Sequence, residues 1–456
     1  MAYRSKVALV YLFGFALDLL NMFAASIAYP DIARELHASV PQLAWISNAY
    51  MLGLTLIIPM SVWLAARLGE RRLILGSLLL FGIASGLVAQ AGSIESLIGW
   101  RLLQGLGGGL LLPVGQALAY RQFPVAQRAH LTGVVLLVAL MVPALSPAAG
   151  GLIVEALSWR WIFYLNLPLA LLAFALGLLW LKADQPSTER PTLDLRGLLL
   201  AVSALSLLLV AVSLASASAT RQLAGGVLLL GALTLWFYLR DGWHKPDAVL
   251  DLQLIKSPSL RLAMLIYLFV PGIFTGTNMI AVLYLHQLGV GAAQTGALML
   301  AWAAASGVAI MLGKRSFNRI GPKPLLIAGM LLQCLGIVLL MRIEQPAAAP
   351  LIIAYALMGL GGSLCSVTAQ TLAFVGMTPE KMGHSSALWN INRQLGFCLG
   401  AALLSSLLGA LGGHGFQYCF LAAALLTLLP MVAVLRFDAS KVLALLSTPP
   451  LEEKST

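Results

Sequence analysis

Apolar residues fill run after run of roughly 20 positions, the length an α-helix needs to cross a bilayer. Fourteen such runs lie at 7–29, 42–64, 74–93, 95–118, 131–154, 161–181, 196–216, 222–240, 260–285, 294–313, 324–342, 350–374, 384–410 and 415–436. Each predicts a membrane-spanning helix. Met1 to Lys6 followed by the first run resembles a secretory leader, and Ser26-Ile27-Ala28 supplies a small-residue pattern. That run contains Asp18 and Asn21 and is as long as a span, which fits a first spanning helix better.

Polar punctuation divides the chain. Residues 183–195 and 241–259 are the two longest polar connections, and they bracket a pair of plain apolar spans. SVWLAARLGERR at 61–72, after the second span, has an echo in GKRSFNRIGPK at 313–323, after the tenth. Both are basic turns with an Arg-x-Gly core. The expected organisation is an all-α integral membrane protein: a six-helix bundle over 1–182, linkers and a two-helix insert over 183–258, a second six-helix bundle over 259–437 and a cytoplasmic tail over 438–456. Parallel repeats of this kind place a substrate site near the midplane between the halves.

Composition removes the soluble alternatives. Hydrophobic residues make up 60% of the 456 positions and charged residues 10%, a balance no water-soluble globule has. The formal charge of +11 is a matter of topology. With the N-terminus inside, the external connections hold only Arg34, Arg160, Arg221 and Arg342, Arg101 and Arg393 lie within spans, and the other 22 of the 28 Lys and Arg residues fall on the cytoplasmic side. Both termini are therefore expected in the cytoplasm, and no nucleic-acid partner is expected. Cys334, Cys365, Cys398 and Cys419 all lie in apolar stretches, without the spacing of a zinc site or a disulfide framework. No nucleotide-binding G-x-x-x-x-G-K loop is present. No single depth gathers the acids, histidines and serines that a membrane enzyme needs, so no catalytic residue, metal or cofactor is expected.

Chemistry concentrates on a few polar residues inside spans. An ionisable group at bilayer depth costs several kcal/mol and marks function by default, and Asp18 is the one acid placed deep in a span. Desolvation favours its neutral form and a nearby cation its charged form, the combination a proton carrier needs. Arg101, roughly 9 Å into the fourth span, is its candidate partner. Side chains lean toward the N-terminus of their own helix, which points Arg101 outward and Asp18 inward and favours a water-linked or state-dependent contact over a direct salt bridge. Asn21, Gln104, Tyr284, Trp302, Trp389 and Arg393 are candidate cavity residues; the alternative for the aromatics is ordinary core packing, and for Arg393 a tie to backbone carbonyls. Gly82–Gly86, Gly105–Gly109 and Gly396–Gly400 are small-residue pairs suited to close helix approach. In SPAAGG at 146–151, Pro147 removes a backbone donor and Gly150 and Gly151 ease bending, which predicts a hinge or a leak-tight contact. His286 and His384 lie near span ends and are expected to be interfacial.

At these residues the chain resembles the major facilitator superfamily, and within it the fourteen-span drug:proton antiporter branch. The likeness runs from Asp18 to about Leu435. It rests on the basic turn with Arg67, Gly69, Arg71 and Arg72, on LIGWRLLQG at 97–105, SPAAGG at 146–151, WRWIFYLNLP at 159–168 and NRQLG at 392–396. The resemblance implies a proton-coupled antiporter that exports amphipathic small molecules by alternating access and works as a monomer in the cell inner membrane. An exporter of one cell metabolite, such as a siderophore or a lipid-like compound, is the alternative on the same scaffold. It also implies conformational roles for the two turns, through Arg67, Gly69 and Arg71 in the first and Arg319 and Gly321 in the second. Departures accompany the likeness: Ser61 and Ala66 replace the usual Gly and acid of the first turn, Asn318 replaces the acid of the second, and the branch's first-span acid falls at Asn21, one turn from Asp18 on the same helix face.

The partition of basic residues predicts that topology reporters fused after Ser218 and after Pro246 have an external and an internal address respectively. Identical addresses would remove the two-helix insert.

Overall fold

The computed structural model describes residues 2–24, 28–184, 193–215, 221–243, 245, 248–290, 292–345, 347–411 and 415–447. Among the described residues there are helices and no strands, and thirteen helical stretches are long and apolar enough to cross a membrane. The seventh run expected from the sequence is also helical, over Leu195–Ala215, with a shorter apolar stretch at Leu195–Ala211.

The chain clusters into two compact units. One comprises Met1–Gln122, Met141–Gln253 and Glu380–Ile391; the other comprises Phe123–Leu140, Leu254–Pro379 and Asn392–Thr456. The first contains α1 (Tyr3–Ala24), α2 (Tyr29–Glu35), α3 (Val40–Ile57), α4 (Ser61–Leu68), α5 (Glu70–Ala89) and α6 (Ile94–Gln122). The helix α7 (Val125–Ala156) contributes its second half to this unit, followed by α8 (Arg160–Tyr164), α9 (Asn166–Trp180), α10 (Leu195–Ala215) and α11 (Arg221–Gly242). The insert helices pair with each other, and α10 also packs on α3.

Glycine fixes how closely the first unit's helices meet. A Cβ added at Gly105 would lie 2.1 Å from the Tyr50 carbonyl oxygen, and one at Gly53 would lie 2.3 Å from that of Leu102. Backbone thus touches backbone along α3 and α6, the close approach that small residues permit where no water drives association. Gly109 meets Leu54 in the same way, whereas Gly82 and Gly86 face Ala170 and Leu167 at ordinary van der Waals distance. Outward faces stay apolar: Ile83 is 60% exposed and Leu179 76%, as lipid-facing positions require.

The second unit contains the first half of α7, α12 (Pro258–Phe269), α13 (Pro271–Gln287), α14 (Ala292–Ile320), α15 (Pro322–Met341), α16 (Ala348–Val375), the rest of α17 (Met382–Ala410), α18 (Phe416–Leu428), α19 (Met431–Arg436) and α20 (Ser440–Ser447). The ninth span is broken at Val270, because Pro271 cannot donate into the ladder. The buried Gln333 side chain donates to the Val270 carbonyl at 2.9 Å beside that break. Past it, Gly276 and Gly400 come into backbone contact. Arg128, buried on α7, donates to the Phe374 and Met377 carbonyls and so places a cation at the C-terminus of α16.

At the end of the first unit away from the α4–α5 turn, Glu35 ties three connections together. Its carboxylate accepts from Trp159 Nε1 at 2.7 Å and from Arg160 Nη1 at 2.5 Å, while Arg160 Nη2 donates to the Ala91 carbonyl at 3.3 Å. The Trp159 hydrogen bond is the largest cause that holds the Glu35 carboxyl below its ordinary value of 4.5; desolvation opposes it, and the hydrogen bond and charge of Arg160 add to the lowering. A depressed carboxylate contributes stability above its unfolded pKa and loses it as pH falls through the folded one. Glu35→Gln should therefore lower the melting temperature of the detergent-solubilised protein at pH 7, with the gap from wild type closing below roughly pH 4. A gap that does not change with pH would mean the carboxylate's charge is irrelevant to this contact.

Candidate functional site

The polar residues singled out in the first and fourth spans meet inside the first unit. Asp18 on α1 is 4% exposed, Asn21 is 1% exposed, and Arg101 and Gln104 on α6 have no exposed surface. The glycine contact between α3 and α6 brings Tyr50 among them. Its hydroxyl donates to Asp18 Oδ1, and its ring lies beneath the Arg101 guanidinium, 4.4 Å from centroid to Cζ. Asp18 and Arg101 both meet this tyrosine. The phenol stands between them, donating to the anion through its oxygen and facing the cation with its π-surface.

Arg101 is held from three other directions. Nε donates to the Ile46 carbonyl at 3.0 Å, Nη1 donates to Gln104 Oε1 at 2.8 Å, and Phe163 faces Cζ at 5.6 Å. Nη2 is buried and has no hydrogen-bond partner among the described residues. A guanidinium donor left open in a dry core is expensive, so this position suits a water or a polar group of a ligand. Gln104 then extends the chain, with Nε2 donating to Asn21 Oδ1 at 3.1 Å and to Ser85 Oγ at 2.6 Å. Asn166 Nδ2 donates to the same Asn21 oxygen at 3.1 Å, and Ser85 Oγ closes the chain on the Phe81 carbonyl at 2.7 Å. The donor directions fix the Gln104 amide: its oxygen faces the cation and its nitrogen faces two acceptors.

Tyr50, Ser85 and Asn166 were not singled out from sequence. Asn166 stands in the WRWIFYLNLP stretch, where the resemblance marks the branch and assigns no chemical task. Tyr50 and Ser85 carry no motif; only their burial beside Arg101 reveals them.

The remaining candidates are dispersed. Tyr284 lies in the second unit, packed against Phe416 and Phe420, with its hydroxyl donating to the Ile343 carbonyl at 2.6 Å. Trp302, in the same unit, stacks on Phe274 at 5.3 Å. Trp389 is buried in the part of α17 that belongs to the first unit, whereas the half-buried Arg393 belongs to the second. The helix α7 runs through Pro147, Gly150 and Gly151 without interruption, and the side chains of Pro147 and Gly151 lie outside the described residues. Arg67 is exposed and covers the Trp63 ring at 5.2 Å, and Arg319 is exposed at the end of α14. Gly69 and Gly321 both have positive φ, 90° and 76°, the conformation that requires glycine in the two turns. Arg71 donates from Nη2 to the Leu178 carbonyl at 2.7 Å. The first turn lacks an acid before Arg67, yet charge still clasps it: Glu70 pairs with Arg121 at 2.5 Å, and Asp184 accepts from the backbone amides of Arg71 and Arg72. Beside it lies a crevice of about 830 Å³ whose lining includes Arg67, Glu70, Arg121, Glu380 and His384. Within the same unit Gln116 accepts from Ser386 and Asn390, each at 2.8 Å.

Long apolar helices, lipid-suited outer faces and a buried ionisable chain inside one unit define a multi-pass membrane transporter. The chain belongs to the major facilitator superfamily, whose family model, "Major Facilitator Superfamily", matches residues 11–401 and 263–453. A "Multidrug resistance protein B homolog" of Mycobacterium tuberculosis (strain CDC 1551 / Oshkosh) is 30% identical over 399 residues, covering 85% of this chain and 73% of that protein. "Drug efflux pump JefA" of M. tuberculosis (strain ATCC 25618 / H37Rv) is 25% identical over 403 residues, covering 87% of this chain and 79% of that protein. The fold matches that of the human organic anion transporter MFSD10 (TETRAN) with a TM-score of 0.69, at 16% identity and over 95% of this chain and 100% of that one.

Proposed function

We propose that the protein is a proton-coupled antiporter of the fourteen-span drug-efflux branch, exporting amphipathic small molecules across the cell inner membrane as a monomer with both termini in the cytoplasm. The observation that carries this reading is Asp18: an acid held at span depth by a phenol whose ring lies against the Arg101 guanidinium. Such a group can bind a proton from one side and release it to the other when access alternates. The names of the multidrug resistance and drug efflux relatives support the export of foreign compounds.

Tyr50 gives the site a means of sensing its own proton. With Asp18 ionised, the phenol donates to the carboxylate and the ring and the charge share Arg101. With Asp18 neutral, that charge-assisted hydrogen bond weakens to an ordinary one, and Arg101 loses the nearest anion. Its open Nη2 and its bond to Gln104 then carry the adjustment into α1 and α5 through Asn21 and Ser85. A single deep acid also limits the cargo. A cationic guest in a dry cavity needs a compensating acid, so Asp18 serves either a proton or one positive charge, and dications are poor substrates.

The test is uptake of a monocationic dye into inverted vesicles or proteoliposomes under an imposed pH gradient. Asp18→Asn should abolish gradient-driven uptake while leaving the protein folded, and Asp18→Glu should retain part of it. Full gradient-driven activity in Asp18→Asn at every pH would sink the proposal.

A further inference from the structure

The first unit contains a second arrangement of charge, partly exposed and far in sequence from Asp18. Asp184 follows α9 at the head of the connection that leads to the insert. Its Oδ1 accepts from the Arg71 amide at 2.9 Å and its Oδ2 from the Arg72 amide at 3.0 Å. These amides belong to the first turn of α5, which has no helical acceptor for them, and the carboxylate also faces the positive end of the helix dipole. Asp184 therefore caps α5 from a position more than a hundred residues away, as the separations of 113 and 112 state. The fit is close: a Cβ at Gly69 would lie 2.1 Å from Asp184 Cγ, so glycine is required there both by its φ of 90° and by the approach of the carboxylate. Arg71 returns the tie by donating to the Leu178 carbonyl at the end of α9.

The second unit shows what the same turn looks like without this cap. Leu181-Lys182-Ala183-Asp184 at the end of the sixth span is echoed by Leu435-Arg436-Phe437-Asp438 at the end of the fourteenth. Gly321, the counterpart of Gly69, is followed by Pro322-Lys323-Pro324, so two of the first three positions of α15 have no amide hydrogen to offer. Asp438 instead accepts from the Ser440 amide at 2.9 Å, and Lys323 Nζ donates to the Leu435 carbonyl at 2.7 Å. One repeat fastens its turn by a carboxylate on two backbone amides; the other fastens it by one flexible ammonium.

We propose that Asp184 is a positioning residue for transport: it locks the basic turn at the head of α5 to the end of α9, and so holds Glu70 where it meets Arg121 and Arg67 where it borders the crevice. Ala66 leaves the turn without an acid of its own before Arg67, and Asp184 supplies the carboxylate from just beyond the end of α9. The inference rests on the transport function proposed above, and its test has one readout that does not depend on it.

Hydrogen exchange of full-length protein in detergent should show faster deuterium uptake in peptides covering residues 69–74 in Asp184→Ala than in wild type, whatever the protein transports. In proteoliposomes the same substitution should lower dye turnover about five- to tenfold with KM little changed, and Asp184→Glu should recover part of it. Gly69→Ala should also lower turnover, and the Gly69→Ala/Asp184→Ala double variant should lose less than the product of the single losses, because the clash between them is gone. Should Asp184→Ala not fold, Asp184→Asn, which keeps the shape and one acceptor, is read in its place. Unchanged exchange at 69–74, or single losses that multiply, would overturn the proposal. Wild type that transports no dye but shows the exchange difference would instead count against the transport function.

Discussion

A guanidinium with no exposed surface, in a helix that crosses a membrane, is the constraint on which the first unit depends. Removing Arg101 from water costs several kcal/mol unless its donors and its charge are met. All but Nη2 are met, by a backbone carbonyl, a glutamine, two aromatic faces and, through one of those aromatics, an aspartate. Ile46 and Tyr50 are in reach because α3 and α6 touch backbone to backbone, and they touch because Gly53 and Gly105 have no side chains. Packing and electrostatics are thus one problem here: the glycines that close the helix pair also deliver Tyr50 and Ile46 to the arginine.

In the relay from Asp18 to Asn166 the acid meets Arg101 through the phenol of Tyr50. A direct Asp–Arg bridge would hold both charges in one deep well. A phenol between them lets Asp18 gain a proton while Arg101 keeps its ring contact, its carbonyl and its glutamine. The second unit handles its polar groups differently. Gln333 attends a broken helix at Val270, and Arg128 caps the end of α16, both tasks of shape rather than of proton chemistry.

Much of this was legible in the sequence, because the signals were long or chemically rare. Runs of twenty apolar residues give spans whatever their neighbours do, and the helices lie where those runs predicted. Asp18, Arg101, Asn21 and Gln104 stood out as polar residues at depth, and they fall in one cluster. What sequence could not supply was the intermediary. Tyr50 is an ordinary aromatic in an apolar span, and only the register of α3 against α6 makes it a link. The clasp of the first turn was hidden for a related reason: with no acid at position 66 the turn looked unfastened, and the carboxylate that fastens it comes from Asp184, which no local pattern connects to Gly69.

The central claim is that substrate and proton exclude each other at Asp18. Its most direct test is proton release: adding a monocationic dye to purified protein in weakly buffered detergent solution and following pH with an indicator. Wild type should release a proton as the dye binds, and Asp18→Asn, which lacks the acid that compensates the cation, should bind the dye more weakly and release none. Equal release from both proteins would place the exchanged proton on another group and contradict the account.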